Sequence, residues 1–468
     1  MNQLTSFQRK LVYALGIVIL LVPIIWLGRP AARDETGQRT AGGTLAKLRN
    51  EYDLGETSLG NIDPSSSTMN LVLLGFRGVA TNLLWQKAAE QKDQKQWAQL
   101  RSTVDSIIML QPHYIKVWDF QGWNLAYNVS AEWDNVDDRY YWVKEGGKFY
   151  MEGTDRNIQN PDLVFKTGTV LSHKVGRSDE WTQFRDYFLD DPDDDRFKDG
   201  PDPAFNRGYN RGSFDDNYMA ARDWFIEAND REETFGPQHI MMRELFRSYP
   251  AHSYMEMGNV LHREGKFNET TRKAWFDGHK AWTDDYGTEE FPSRVGPVHM
   301  EIEAEKDFAE IAKRNSELLG RTVTVAEIKD QINFLQNTVN YRYWRTRSAA
   351  EAQTNTAAAH REIYEGQQLF EQGKLPQAAE RIVSGLTKLE ALFDDFPRFE
   401  EDDLAVEETL MAMLYLRAIE RLNPSLVPDK LPLQRVWTAN ENYGRLPDLE
   451  NRFRMQTGIT PTENDESP

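Results

Sequence analysis

The sequence predicts an all-α protein, a solenoid of stacked helix pairs standing behind a single N-terminal transmembrane helix. Two observations carry this expectation. From Leu11 to Gly28 the chain reads LVYALGIVILLVPIIWLG with no charge. From Met69 onward, apolar residues recur at helical spacing, and no convincing run of alternating β-branched residues appears.

The apolar run comes first. At 1.5 Å per residue it spans about 27 Å, close to the hydrocarbon thickness of a bilayer. Tyr13 and Trp26 lie near its ends, where amphipathic rings prefer the headgroup level, and Pro23 is tolerated in a membrane helix. Arg29 and Pro30 spoil a small-x-small cleavage site, so an uncleaved anchor is expected over 1–28, touching lipid through 11–28. Arg9 and Lys10 before the run are nearly balanced by Arg29, Arg33 and Arg39 after it. A long C-terminal body translocates largely regardless of flanking charge, which points to a single-pass protein with its body on the extracytoplasmic side.

Residues 29–69, rich in Gly, Thr, Ser, Asp and Pro, read as a linker. Residues 70–292 read as helical repeats, with an acidic loop insertion near 190–213 that begins Asp190-Asp191-Pro192-Asp193. The loop-like stretch Tyr286–Pro297 marks a boundary, and 293–457 reads as a C-terminal helical region containing a helix pair near 359–397. Within it, Thr324-Val325-Ala326-Glu327 has the form of a capping box. Residues 458–468 are expected to be a disordered tail.

Four windows share one frame, a bulky residue followed four positions later by a small one and then by a turn. They are Tyr254/Gly258/Leu261 before Gly265-Lys266-Phe267, and Gly366/Leu369 before Gly373-Lys374-Leu375 with Ala378. The others are Trp118/Gly122/Leu125 after Gln111-Pro112, and Val164/Gly168/Leu171 before Gly176. Small residues at those places let two antiparallel helices cross closely, the pattern of the tetratricopeptide unit. The predicted fold is therefore a tetratricopeptide-like α-solenoid; an irregular all-α domain without true repeats is the alternative.

The stretches Phe76–Trp85, Trp118–Asn128 and Asn340–Trp344 resemble a family of membrane-anchored, tetratricopeptide-like proteins from planctomycete-type bacteria. The resemblance covers most of the chain after the anchor. It implies an α-solenoid in a bacterial inner (cytoplasmic) membrane and brings no catalytic residues. The sequence supplies no ligand set for iron.

Composition narrows the chemistry. The chain of 468 residues carries a net charge of -19 and no cysteine. Such acidity repels phosphate backbones, so no nucleic-acid partner is expected. Without thiols there are no disulfides, thiol nucleophiles, Cys-ligated zinc or iron–sulfur clusters. An EF-hand frame starting at Asp195 fails because Phe197 stands at its third position. The eight histidines form no His-x-x-x-His pair, and the nearest acidic group, His299, Glu301 and Glu305, reads as an exposed charged face. Trp85, Trp97, Trp118, Trp123 and Tyr127 at helical intervals read as packing between helices. No hydrolase elbow, phosphate loop or dinucleotide fingerprint occurs. Neither an enzyme, a metal nor a cofactor is expected.

The fold then suggests the function. Stacked helix pairs line an inner surface suited to peptides or partner helices. The repeat frame assigns Lys116, Trp123, Tyr127, Asn259, His262, Arg263 and Gln367 to a groove for protein partners. A membrane-tethered scaffold in a bacterial envelope complex is the leading expectation. A cell-envelope binding protein for a small ligand or glycan is the alternative, and an enzyme with a site assembled across repeats the third.

Overall fold

The computed structural model describes residues 77–461 apart from 193–199, 207–215, 237–242, 303, 402 and 442–443, together with Phe7, Leu15, Gly16 and Ile19. Among these residues it is helical throughout, with seventeen α-helices, three π-helical segments and short 3-10 turns. The isolated antiparallel bridge Phe291–Val298 is the β-type contact.

The all-α half of the predicted fold class therefore stands, and the transmembrane half does not. No helix among the described residues is long and apolar enough to cross a membrane. The longest, Val136–Arg156, Arg243–Arg263 and Leu375–Asp395, interleave charged residues with an apolar stripe, as helices packed on a protein core do. The single-pass inner-membrane placement and the lipid contact inferred for 11–28 have no spanning helix to rest on. That run lies outside the described residues except for Leu15, Gly16 and Ile19, as do the linker 29–69 and the tail from 462.

The chain divides into two compact units, Met1–Thr167 with Asp230–Gln238 and Gly168–Asn229 with His239–Pro468. In the first, α1 (Arg77–Asp93) and α2 (Trp97–Leu110) form a hairpin whose turn holds Lys95 at a positive φ of 54°. On α2, Leu100, Thr103, Val104, Ile107, Ile108 and Leu110 are buried, a stripe at three- and four-residue spacing. Next, α3 (Ile115–Trp123) runs into a π-helical segment, Asn124–Val129, and packs on α4 (Val136–Arg156). A Cβ on Gly146 would lie 2.6 Å from the backbone nitrogen of Ala126, so only glycine allows that approach. Trp118 fills the crossing, fully buried, and its Nε1 donates to the Pro112 carbonyl at 2.8 Å.

The second unit takes in the end of α5 (Pro161–Thr169) and the π-helical segment Val170–Val175. It continues through α6 (Trp181–Leu189), most of α7 (Asn217–Phe235), α8 (Arg243–Arg263) and α9 (Glu269–Lys280), which passes into π-helical Ala281–Tyr286. A buried network ties three of these together. Arg185 donates to Asp216 at 2.8 Å, to Glu264 at 2.6 Å, and to Asn217. Part of the acidic loop is also pinned here. Asp202 caps the turn Pro203–Phe205, Phe205 is buried, and its carbonyl accepts Trp224 Nε1 at 3.0 Å.

Further on lie α10 (Glu305–Leu319), α11 (Val325–Thr338) and α12 (Tyr341–Glu351). They pack with α9 around Trp275, Trp282, Phe291, Ile328, Ile332 and Tyr341. The predicted capping box is present at the start of α11. Thr324 N donates to Glu327 Oε2 at 2.7 Å, and Glu327 N donates to Thr324 Oγ1 at 3.2 Å. A second core joins α13 (Thr354–Glu371), α14 (Leu375–Asp395), α15 (Asp403–Leu422), α16 (Gln434–Glu441) and α17 (Arg445–Thr457). The hairpin α13/α14 is the tightest pairing of the unit. Cβ atoms on Gly366 and Gly385 would meet Ile382 at 2.5 Å and Ile363 at 2.7 Å, so each helix seats its isoleucine against the other's glycine.

Candidate functional site

Two polar groupings stand out in the second unit. The first surrounds a cavity of about 220 Å³. Helix α8 supplies one wall, with Leu245, Tyr249, His252, Ser253 and Glu256 at three- and four-residue spacing on one face. The same helix contains Pro250, which has no N–H to donate to the preceding turn. The opposite side comes from Ser172 and His173 on the π-helical segment, from Arg177, and from Tyr218 and Phe225 on α7. Trp344 of α12 completes the lining.

Electrostatics follow from this enclosure. His252 stands edge-on to Trp282 at 4.8 Å and to Trp344 at 4.7 Å between ring centroids. Desolvation, helped by the positive charge of Arg177, pulls its pKa down to about 3. The same two causes take His173 to about 4. Both imidazoles are thus neutral at pH 7, and each offers one donor and one acceptor. Burial raises the pKa of Glu256, against the pull of Arg177, with which it forms an ion pair. Tyr218 is pushed up to about 12 by burial, and its hydroxyl donates to the Gly176 carbonyl at 3.1 Å. The cavity therefore presents one compensated charge pair, neutral donors and acceptors, and aromatic walls. Segments of π-helix are rare and concentrate at functional sites. One of them carries Ser172 and His173 here, and another carries the Trp282 ring that flanks His252.

The second grouping is buried between α8, α12, α13 and α15. His360 lies between two carboxylates, with Nδ1 2.6 Å from Glu408 and Nε2 3.0 Å from Glu351. Although burial opposes it, the two carboxylates hold the His360 pKa well above its ordinary value. Glu351 is fully enclosed, yet His360 and its other cationic neighbours bring its pKa down to about 2. His262 lies tilted at 45° against His360, 4.7 Å between ring centroids, and its pKa is lowered by burial to about 4. Arg347 donates to Asn259 at 3.0 Å and to the Tyr343 hydroxyl at 2.8 Å. Donor atoms of His262, Glu351 and His360 lie within 4.8 Å of one another, a set able to hold a metal ion. A small cavity of about 40 Å³ touches Arg347, Glu351, His360 and Glu408.

The groove residues expected from sequence are distributed over both units. In the first unit, Lys116 is exposed, and Trp123, 45% exposed, stacks on Tyr127 at 4.0 Å and 15°. Burial raises the Tyr127 pKa to about 12. In the second, Asn259 and His262 come together with Arg347 and His360. Arg263 instead lies over the Trp181 ring at 4.0 Å, and Gln367 is half-buried on α13. Glu301 accepts from Arg345 at 2.6 Å and Tyr341 at 2.6 Å, while Glu305 pairs with Lys329 at 2.6 Å.

Sequence reasoning missed His173, Arg177, His252, Glu256, Glu351, His360 and Glu408. His252 and Glu256 carried a local signal, since they lie one helical turn apart. Glu351, His360 and Glu408 belong to three helices, and nothing in their spacing marks them. No family model matches the chain, and no curated protein is similar enough to count as a relative.

Proposed function

We propose that the second unit is a binding module for a small, neutral, hydroxyl-rich molecule of about the size of a monosaccharide. The observation that carries this reading is the cavity's charge balance. Arg177 and Glu256 offset each other, both imidazoles are neutral, and the remaining polar groups offer hydrogen bonds without net charge. Such a lining favours neither anions nor cations. The flat faces of Trp344, Tyr249 and Phe225 suit the apolar faces of a sugar-like ring. At about 220 Å³ the space is below the roughly 300–1,000 Å³ of pockets for drug-sized ligands.

Tryptophan fluorescence titrated with neutral sugars and polyols, small carboxylates and small amines tests it. Saturable quenching by the neutral class is expected, weakened at least about tenfold in Arg177→Gln/Glu256→Gln, equivalent to about 1.4 kcal/mol. This double substitution removes both charges together and leaves neither buried alone. Binding confined to carboxylates or amines would refute the charge argument, and no binding by any class would remove the reading.

A second reading keeps the helical-repeat scaffold for protein partners, with tetratricopeptide-like units and the family resemblance behind it. Its support is the reciprocal glycine–isoleucine seating of α13 and α14, together with the Trp123–Tyr127 stack, in which Trp123 is 45% exposed, and the exposed Lys116 on the same helix as Trp123. Trp123→Ala/Lys116→Glu should then lose a stoichiometric protein partner that co-purifies with the unaltered chain. Retention of that partner by the variant would exclude this surface.

A further inference from the structure

We infer that His262, Glu351 and His360 form a binding site for a divalent transition-metal ion, with Glu408 as the carboxylate that orients His360. Two imidazoles and one carboxylate are a ligand set for zinc and its neighbours in the first row, whereas calcium and magnesium prefer oxygen alone.

The geometry is close to what such an ion needs. With bonds of about 2.0–2.1 Å in a tetrahedral site, neighbouring ligand atoms stand roughly 3.3–3.4 Å apart. His360 Nε2 and Glu351 Oε2 are already 3.0 Å apart. The His262 donor lies within 4.8 Å of both, so it has at most about 1.5 Å to close.

The surroundings match the usual second layer of a metal site. A ligating histidine normally donates its other ring N–H to a carboxylate, which fixes its tautomer. Glu408 stands 2.6 Å from His360 Nδ1 and fills that role, leaving Nε2 for the ion. On entry the ion replaces the Nε2 proton, which leaves to solvent. Once the His360 proton has been displaced, the two carboxylates of Glu351 and Glu408 outweigh the one guanidinium of Arg347 and hold a cation. Arg347 approaches Glu351 through Oε1, 3.9 Å from its Nε, while Oε2 faces His360. The adjoining cavity of about 40 Å³ has room for about one water, so the ion can keep a water ligand.

The same carboxylates could serve only as an ion triad around His360, and His262 separates the two cases. The triad makes no use of its nitrogens, whereas the metal site requires one. Phenylalanine at that position keeps a ring among Phe267, Trp275 and His360 and removes the donor.

The test uses the full chain, stripped with chelator and titrated with Co²⁺, read by visible absorption and by metal content after gel filtration. One ion per chain with the bands of a four- or five-coordinate site is expected. His262→Phe should abolish both while leaving near-ultraviolet circular dichroism unchanged, and Glu408→Gln should weaken binding about 10- to 100-fold. Absence of retained cobalt in the unaltered chain overturns the inference, as does unaltered binding by His262→Phe. His360→Gln should also lose the ion, and if it fails to fold, His262→Phe still decides.

Discussion

His252 and His360 sit in the same unit and are driven in opposite directions. Aromatic edges and a nearby guanidinium surround His252, so burial acts unopposed and its pKa falls to about 3. His360 is at least as enclosed, but Glu351 and Glu408 approach both its nitrogens and carry its pKa well upward. Burial alone does not determine a histidine's charge; the partners buried with it do. One imidazole is thereby available as a neutral hydrogen-bonding group in a cavity, and the other is a cation locked between helices.

The largest consequence lies at the locked end. Glu351→Gln removes one partner of a buried, hydrogen-bonded pair and should cost about 3–5 kcal/mol in chemical denaturation. A cost below about 1 kcal/mol would mean that the His360 triad is not a stabilising device.

The acid limb of stability comes next. Because the folded-state pKa of His252 is depressed to about 3, the unfolded chain binds a proton between pH 6.5 and 3 that the folded chain refuses. Stability therefore falls on acidification through that window, by on the order of a few kcal/mol. His252→Leu should flatten this limb. His360 has the opposite sign: its raised pKa contributes stability that is complete below its unfolded value and is lost as pH rises through the folded one. His360→Gln should therefore leave the acid limb between pH 6.5 and 4.5 unflattened and remove a loss at higher pH. Glu351, lowered to about 2, contributes stability present above 4.5 and lost as pH falls towards that value. Unfolding free energy measured from pH 3 to 9 separates these terms, and identical profiles for the two histidine variants would void the comparison.

His173, depressed only to about 4, should show the same acid effect as His252 with a smaller amplitude when replaced by Asn. The smallest change is expected from an exposed pair. Arg452 donates to Glu407 at 2.5 Å with both side chains over 40% exposed, and Arg452→Ala should change stability by at most about 1 kcal/mol.

Local features of the fold were legible. The Thr324–Glu327 capping box, the buried Trp118 at its helix crossing and the small residues Gly258 and Gly366 depend on neighbours within a turn or on the next helix. The transmembrane expectation failed differently: an apolar run meets a length criterion, but no helix among the described residues meets it in three dimensions. Among the groove residues, Asn259 and His262 meet Arg347 and His360, which come from helices almost a hundred positions away.

The sequence by itself determined the helical class, since periodicity, capping and close-crossing glycines act over a few residues and leave their spacing in the chain. Which histidine is neutral and which is charged was decided only by tertiary structure. A pKa depends on charges and burial within a few ångströms, and Glu351, His360 and Glu408 become neighbours only after α12, α13 and α15 have packed.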